Sequence, residues 1–153
     1  MLRSYKELHV WKRSLILVTD IYRLTRILPP DERFGLTSQL RRAAVSINVN
    51  IAEGYGRATR GEYLNHLSVA RGSLLEVEAL CTVCQALSLV TTEDLTTVEE
   101  HLVQMRLMLR GLRRALEEGC KGCKGCVGCP GCVGCVGCVA LVHPPHPAHP
   151  LHP

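Results

Sequence analysis

The stretch TTEDLTTVEEHLVQMRLMLRGLRRALEE, residues 91–118, sets the architecture expected of the chain. Leu95, Val98, Leu102, Met105, Leu109, Leu112 and Leu116 alternate steps of three and four without a break, the period of one face of a long α-helix. Thr91, followed three residues on by Asp94, approximates a capping box: hydroxyl and carboxylate satisfy amide N–H groups that the first helical turn leaves unpaired.

Upstream, Tyr63, Leu67, Ala70, Leu74, Val77, Cys81 and Cys84 keep the same register and predict a helix from about Gly61 to Leu89. The two cysteines fall on that stripe, so they read as small apolar core residues rather than as a redox or metal pair. Leu36, Leu40, Ala43, Ile47 and Ile51 predict a helix stopped near Gly54 and Gly56. Between Tyr5 and Leu28 run two adjacent stripes, Leu8-Trp11-Leu15-Val18-Tyr22 and Leu17-Ile21-Leu24-Leu28, ended by Pro29-Pro30. No period-two strand pattern appears. Four long helices with short connections predict an all-α fold, an antiparallel four-helix bundle. Leu17, Ile21, Leu75, Val103 and Leu107 lie outside a single stripe, and this apolar surplus points to an oligomer interface or a wider core.

Composition divides the 153 residues at Gly119. Residues 1–118 hold all 14 acids, 16 of the 18 basic side chains and every aromatic, for a formal charge of +2. Residues 119–153 hold seven of the nine Cys, four of the seven His and six of the eight Pro. The body therefore forms one domain, followed by a low-complexity tail. A body with two cysteines needs no disulfides to fold. No run approaches the ~18 apolar residues of a membrane span, and the apolar stretch Leu15–Val18, closely followed by Asp20, is too short for a signal peptide. The expectation is a cytoplasmic protein with no membrane contact.

Enzymatic motifs fail on inspection. Gly54-Tyr55-Gly56 lacks the third glycine of a dinucleotide fingerprint and follows a helix, and Glu62-Tyr63 stands where a P-loop needs Lys-Ser/Thr. His9, His66 and His101 are isolated in sequence and read as surface or boundary residues. Nothing nominates a catalytic residue, so the chain is expected not to be an enzyme.

The arginines carry more. Fourteen of the 18 basic residues are Arg, suited to bidentate phosphate contact and to pairing across interfaces. Arg41, Arg42, Arg57 and Arg60 lie on the second helix and the turn after it; Arg106, Arg110 and Arg113 share a face of the fourth, with Arg114 adjacent. These eight are candidate nucleic-acid contacts, against the simpler reading of a solvated, salt-bridged face. Ser46, Asn50 and Glu53 make a polar stripe on the second helix; with Glu76 and Glu78 on the third they form a candidate structural network. In it, Arg41 or Arg42 pairs with Glu76 or Glu78 and holds the two helices in register.

Leu36-Thr37-Ser38-Gln39-Leu40-Arg41-Arg42-Ala43-Ala44-Val45-Ser46-Ile47, Asn50-Ile51-Ala52-Glu53-Gly54 and Arg57 resemble the four-helix-bundle proteins encoded in intervening sequences of bacterial 23S ribosomal RNA genes. Ala70-Arg71-Gly72-Ser73-Leu74-Leu75-Glu76, Glu78 and Leu8-His9-Val10-Trp11-Lys12 fit the same pattern, so the resemblance covers about residues 4–118. It implies a protomer that assembles into a homopentamer. It also implies kinship with the accessory variability protein of diversity-generating retroelements, which binds nucleic acid and a reverse transcriptase. Arg41, Arg42 and Arg57 belong to the shared motif.

The tail repeats Gly-Cys-x and then His-Pro-x, a composition that reads as disordered and as the product of translated tandem repeats. Cys120, Cys123, Cys126, Cys129, Cys132, Cys135 and Cys138 form successive C-x-x-C pairs that would take zinc or copper(I) if offered. His143, His146, His149 and His152 are a weaker ligand set, spaced too far apart along a polyproline helix. No cofactor is expected in the body. The expected function is a non-enzymatic oligomeric scaffold binding RNA or DNA through arginine-rich surfaces; the alternative is a protein-interaction or structural module without nucleic acid.

Overall fold

The computed structural model describes residues 4–118. The seven tail cysteines and four tail histidines lie outside the described residues. Four helices follow one another: α1 (His9–Leu24), α2 (Leu36–Tyr55), α3 (Arg60–Ala86) and α4 (Thr92–Glu118), with short 3-10 turns at Tyr5–Glu7 and Pro30–Arg33. α1 packs on α2 and α4, and α3 on the same two, so the helices surround one core in cyclic order. The α2–α3 contact is the most extensive.

α3 and α4 bury the stripes read from the sequence, and α2 buries all of its stripe but Leu36, which is half-buried at the helix start. Leu40, Ala43, Ile47 and Ile51 are buried on α2, all seven stripe residues from Tyr63 to Cys84 on α3, and all seven from Leu95 to Leu116 on α4. Burial pushes the Cys81 thiol up to about 12 and raises Cys84 as well. Both stay protonated at neutral pH, as core residues and not as nucleophiles.

α1 corrects the sequence reading twice. It is shorter than Tyr5–Leu28, beginning after a 3-10 turn capped by Ser4 and ending at Leu24. Of its two apolar stripes, the one through Leu17, Ile21 and Leu24 faces the core, while Leu15 and Tyr22 of the other are exposed. Both stripes have helical period, so periodicity could not say which faces inward. Leu17 and Ile21 are thus removed from the apolar surplus; Leu75, Val103 and Leu107 remain exposed.

The helix ends have local causes. Thr91 and Asp94 cap α4 as expected: the Asp94 amide donates to Thr91 Oγ1, and the Thr91 amide to Asp94 Oδ2. Those bonds hold the Asp94 carboxyl below its ordinary range. Thr59 and Glu62 form a reciprocal capping box on α3, although Glu62 entered the sequence analysis only as a failed P-loop position. Gly54 lies inside α2 rather than beyond its end. A Cβ there would stand 2.6 Å from the Tyr63 ring, so glycine is required by close helix approach. After α3, Ser88 adopts φ 57°, and the Leu89 amide reaches back to the Cys84 carbonyl, the long bond of a Schellman ending.

Candidate functional site

Polar side chains gather in two seams of the bundle. Between α2 and α3, Ser46 and Ser73 share a hydrogen bond of 2.8 Å. Asn50 Nδ2 donates to the Ser46 carbonyl and hydroxyl, at 2.9 and 3.2 Å. Asn50 Oδ1 lies 3.1 Å from His66 Nδ1, Glu53 Oε2 lies 3.5 Å from the same nitrogen, and Arg57 Nε donates to His66 Nε2 at 2.9 Å. Beyond the serines, Arg42 faces Glu76 at 3.8 Å. Ser46, Asn50 and Glu53 therefore meet across the α2–α3 seam through Ser73 and His66, while Glu76 joins the seam only through its own pair with Arg42. Glu78 does not: it turns to α4 and pairs with Arg106 at 2.6 Å.

Between α1 and α4 the arrangement is more concentrated. Asp20 sits on the buried face of α1, its Oδ2 2.8 Å from His101 Nδ1 and its Oδ1 bonded to Arg23 at 3.1 Å. Beside it opens a shallow cleft of about 280 Å³ lined by Asp20, Arg23, Ile27, Asp94 and Thr97. Sequence reading missed both His66 and His101 as bonded residues. One signal was present for each: His66 stands seven residues before Ser73 on the same helical face, and Asp20 is an acid in core register with Leu17 and Leu24.

The structure does not bring the eight candidate arginines into one patch. Arg41 donates to Thr25 Oγ1 at 2.8 Å and stacks over Tyr22. Arg42, Arg57 and Arg106 are held by Glu76, His66 and Glu78. Arg113 bonds Glu117 at 2.7 Å and Ser68 at 3.1 Å, and Arg114 bonds Glu118 at 2.7 Å. Arg60 and Arg110 are exposed without such a bond among the described residues. Six of the eight thus have guanidinium contacts within the chain; the exposed ion pairs among them contribute little to stability, while the Arg41–Thr25 and Arg113–Ser68 bonds are half-buried.

Two apolar faces are left open. On α1 and α2, Leu15, Tyr22, Val45 and Val49 are exposed along a groove crossed by the Asn48–Ser14 and Arg41–Thr25 bonds. On α3 and α4, Leu75, Val103 and Leu107 are about half exposed or more, between the Glu78–Arg106 and Ser68–Arg113 links. Because α1 and α3 each touch α2 and α4, these two faces lie on opposite sides of the bundle. Among the described residues no group of three or more His, Cys, Asp or Glu is placed to hold a metal, and no helix is long and apolar enough to cross a membrane.

Residues 6–111 match the 23S rRNA-intervening sequence protein family. A crystal structure of a protein with unknown function from the S23 ribosomal protein family of Bacteroides thetaiotaomicron superposes with a TM-score of 0.64 at 22% identity, over 69% of this chain and 98% of that one. That likeness is one of fold. No curated protein matches. The family match spans most of the chain, which belongs to the 23S rRNA-intervening sequence protein family.

Proposed function

We propose that this family member is a non-enzymatic helical scaffold that assembles head to tail with copies of itself. The observation that carries the reading is the pair of unlike apolar faces on opposite sides of the bundle. One face used twice makes a two-fold dimer. Two unlike faces make a heterologous contact, which repeats until the rotation closes a ring. Charge supports the pairing. The acids of α1 and α2 are Asp20, which is buried, and Glu53, which turns toward His66, so the α1/α2 face offers Lys12 and Arg41 among its apolar residues. Glu99 and Glu100 stand exposed one turn before Val103 on α4. Five copies is the ring size the resemblance implies.

Antiparallel succession of the helices is supported by the α2–α3 pairs Arg42–Glu76, Ser46–Ser73 and Asn50–His66, whose numbers rise on one helix as they fall on the other. A second reading has the assembled form hold RNA or DNA, favoured by the exposure of Arg60 and Arg110 and by the excess of Arg over Lys. Kinship with the accessory variability protein extends that reading to a reverse transcriptase as partner. We place the protein in the cytoplasm, with the tail thiols as an incidental zinc or copper(I) ligand set.

Sedimentation of the full chain tests the assembly. Wild type is expected as a closed oligomer, and Leu15→Glu and Leu107→Glu each as a monomer. An equimolar mixture of the two variants retains one good face of each kind, so it forms a dimer and nothing larger. A monomeric wild type, or a mixture that stays monomeric or rebuilds the full oligomer, overturns the reading. Duplex DNA added in a salt series separates the second reading, since phosphate contacts weaken by about 0.9 log unit each per log unit of salt.

A further inference from the structure

We infer that a neutral His66 holds Arg57 on the α2–α3 turn and that protonation of His66 sets Arg57 free. The hydrogen bonds assign every proton in the contact. Asn50 Nδ2 donates to the Ser46 carbonyl at 2.9 Å, so the amide must point its oxygen at His66; exchanging the two atoms would set oxygen against oxygen. An amide oxygen only accepts, so His66 Nδ1, 3.1 Å away, carries the hydrogen. A neutral imidazole has one N–H, which leaves Nε2 bare to accept from Arg57 Nε at 2.9 Å. Arginine stays protonated in proteins, so its Nε remains a donor. One tautomer of neutral His66 satisfies all of these contacts together.

A second proton on His66 goes to Nε2 and ends the arrangement. It sets N–H against N–H and imidazolium against guanidinium, while the Nδ1–H bond to Asn50 persists. Two carboxylates lie near the ring. Glu53 on α2, 3.5 Å from Nδ1, is attracted to the imidazolium. Glu62, one turn earlier on α3, lies below its ordinary carboxyl range chiefly through its bonds to Thr59, with smaller contributions from Arg57 and His66. Among the described residues, no ion pair reaches His66 from α1 or α4. Arg57 is exposed on the short turn before Thr59, three residues before the α3 start at Arg60. Its release places a free guanidinium and Arg60 on one turn, with the charged imidazole of His66 two helical turns into α3. The device is a proton-operated strap whose opening presents an anion-facing turn.

Nitrogen-detected NMR of the full chain, with His and Arg labelled, tests it in the wild type without any variant. Above the His66 titration the expected signals are an Nδ1–H tautomer with bare Nε2 and an Arg57 Nε–H resonance shifted by hydrogen bonding. As pH falls, the Arg57 resonance should move to its solvent-exposed position in step with protonation of Nε2. In His66→Gln, whose side-chain oxygen also accepts but does not titrate, the Arg57 resonance should stay still over the same range. An Nε2–H tautomer at high pH overturns the proposal, and so does an Arg57 signal that ignores the titration of His66.

Discussion

The α2–α3 and α1–α4 seams solve the same problem, polar groups between packed helices, in opposite ways. α2 and α3 approach closely through Gly54, and the polar side chains between them, Ser73 buried and Ser46, Asn50 and His66 half-buried, are linked in turn with no carboxylate in the buried layer. Each link contributes on the order of 1 kcal/mol, and loss of one leaves the others standing. The α1–α4 seam places one carboxylate, Asp20, in the buried layer and satisfies it with His101 and Arg23. There the energy is concentrated: a buried charge is tolerated only while both partners remain. A distributed neutral seam yields gradually, whereas a charged one depends on single residues.

The sharpest way to break that contrast is His101→Leu. It leaves one oxygen of a buried carboxylate without its donor, and about 3 kcal/mol should be lost from the unfolding free energy at neutral pH. The double variant Asp20→Leu/His101→Leu replaces charge and partner by packing and should recover most of the loss. Urea denaturation of the two variants decides it. A loss under about 1 kcal/mol for His101→Leu would put the α1–α4 seam on the same footing as a single neutral hydrogen bond.

Gly54→Ala probes the other seam where it is least able to give. Alanine favours the helix over glycine by up to about 1 kcal/mol. Its Cβ would nevertheless stand 2.6 Å from the buried Tyr63 ring and 3.0 Å from the His66 Cβ. The Tyr63 ring is itself packed in the core, so it can give way only by disturbing its other neighbours. Overpacking should outweigh propensity and leave a net loss of about 2 kcal/mol, read as a lowered midpoint in the same urea titration. A stabilised Gly54→Ala would mean that α2 and α3 can part at that level, and the close approach would cease to distinguish this seam.

How much of this was legible in the sequence depends on distance along the chain. The core stripes of α2, α3 and α4 could be read residue by residue because helical period is a local property. So could the Ser46-Asn50-Glu53 stripe, which lies on one face of one helix. α1 could not be oriented, since its two stripes are both apolar and only the packing of α2 and α4 chooses between them. Asp20 and His101 stand 81 positions apart; the core register of Asp20 is visible locally, but nothing near it in sequence names His101 as its partner. The arginines were legible as an excess and not as a surface. Whether a guanidinium faces solvent or a carboxylate is settled by what the neighbouring helix puts opposite it, as Glu78 does for Arg106.

The Arg42–Glu76 pair is the smallest and most exacting test of the α2–α3 seam. It was the register-setting contact expected from sequence, and the two side chains do face each other. They do so at 3.8 Å, with Arg42 76% and Glu76 44% exposed. A pair in that setting contributes about 0.5 kcal/mol or less, because water and salt screen the attraction while two long side chains lose freedom to make it. Arg42→Leu should therefore change the urea midpoint barely beyond error, and less at high salt than at low salt. Register would then be held by Ser46, Ser73 and Asn50, whose partners are fixed to within one hydrogen-bond length. If Arg42→Leu instead cost 2 kcal/mol, or shifted the oligomer seen in sedimentation, the exposed arginine would be holding the helices or a second copy in place. The neutral ladder would then be a consequence of the seam's register and not its cause.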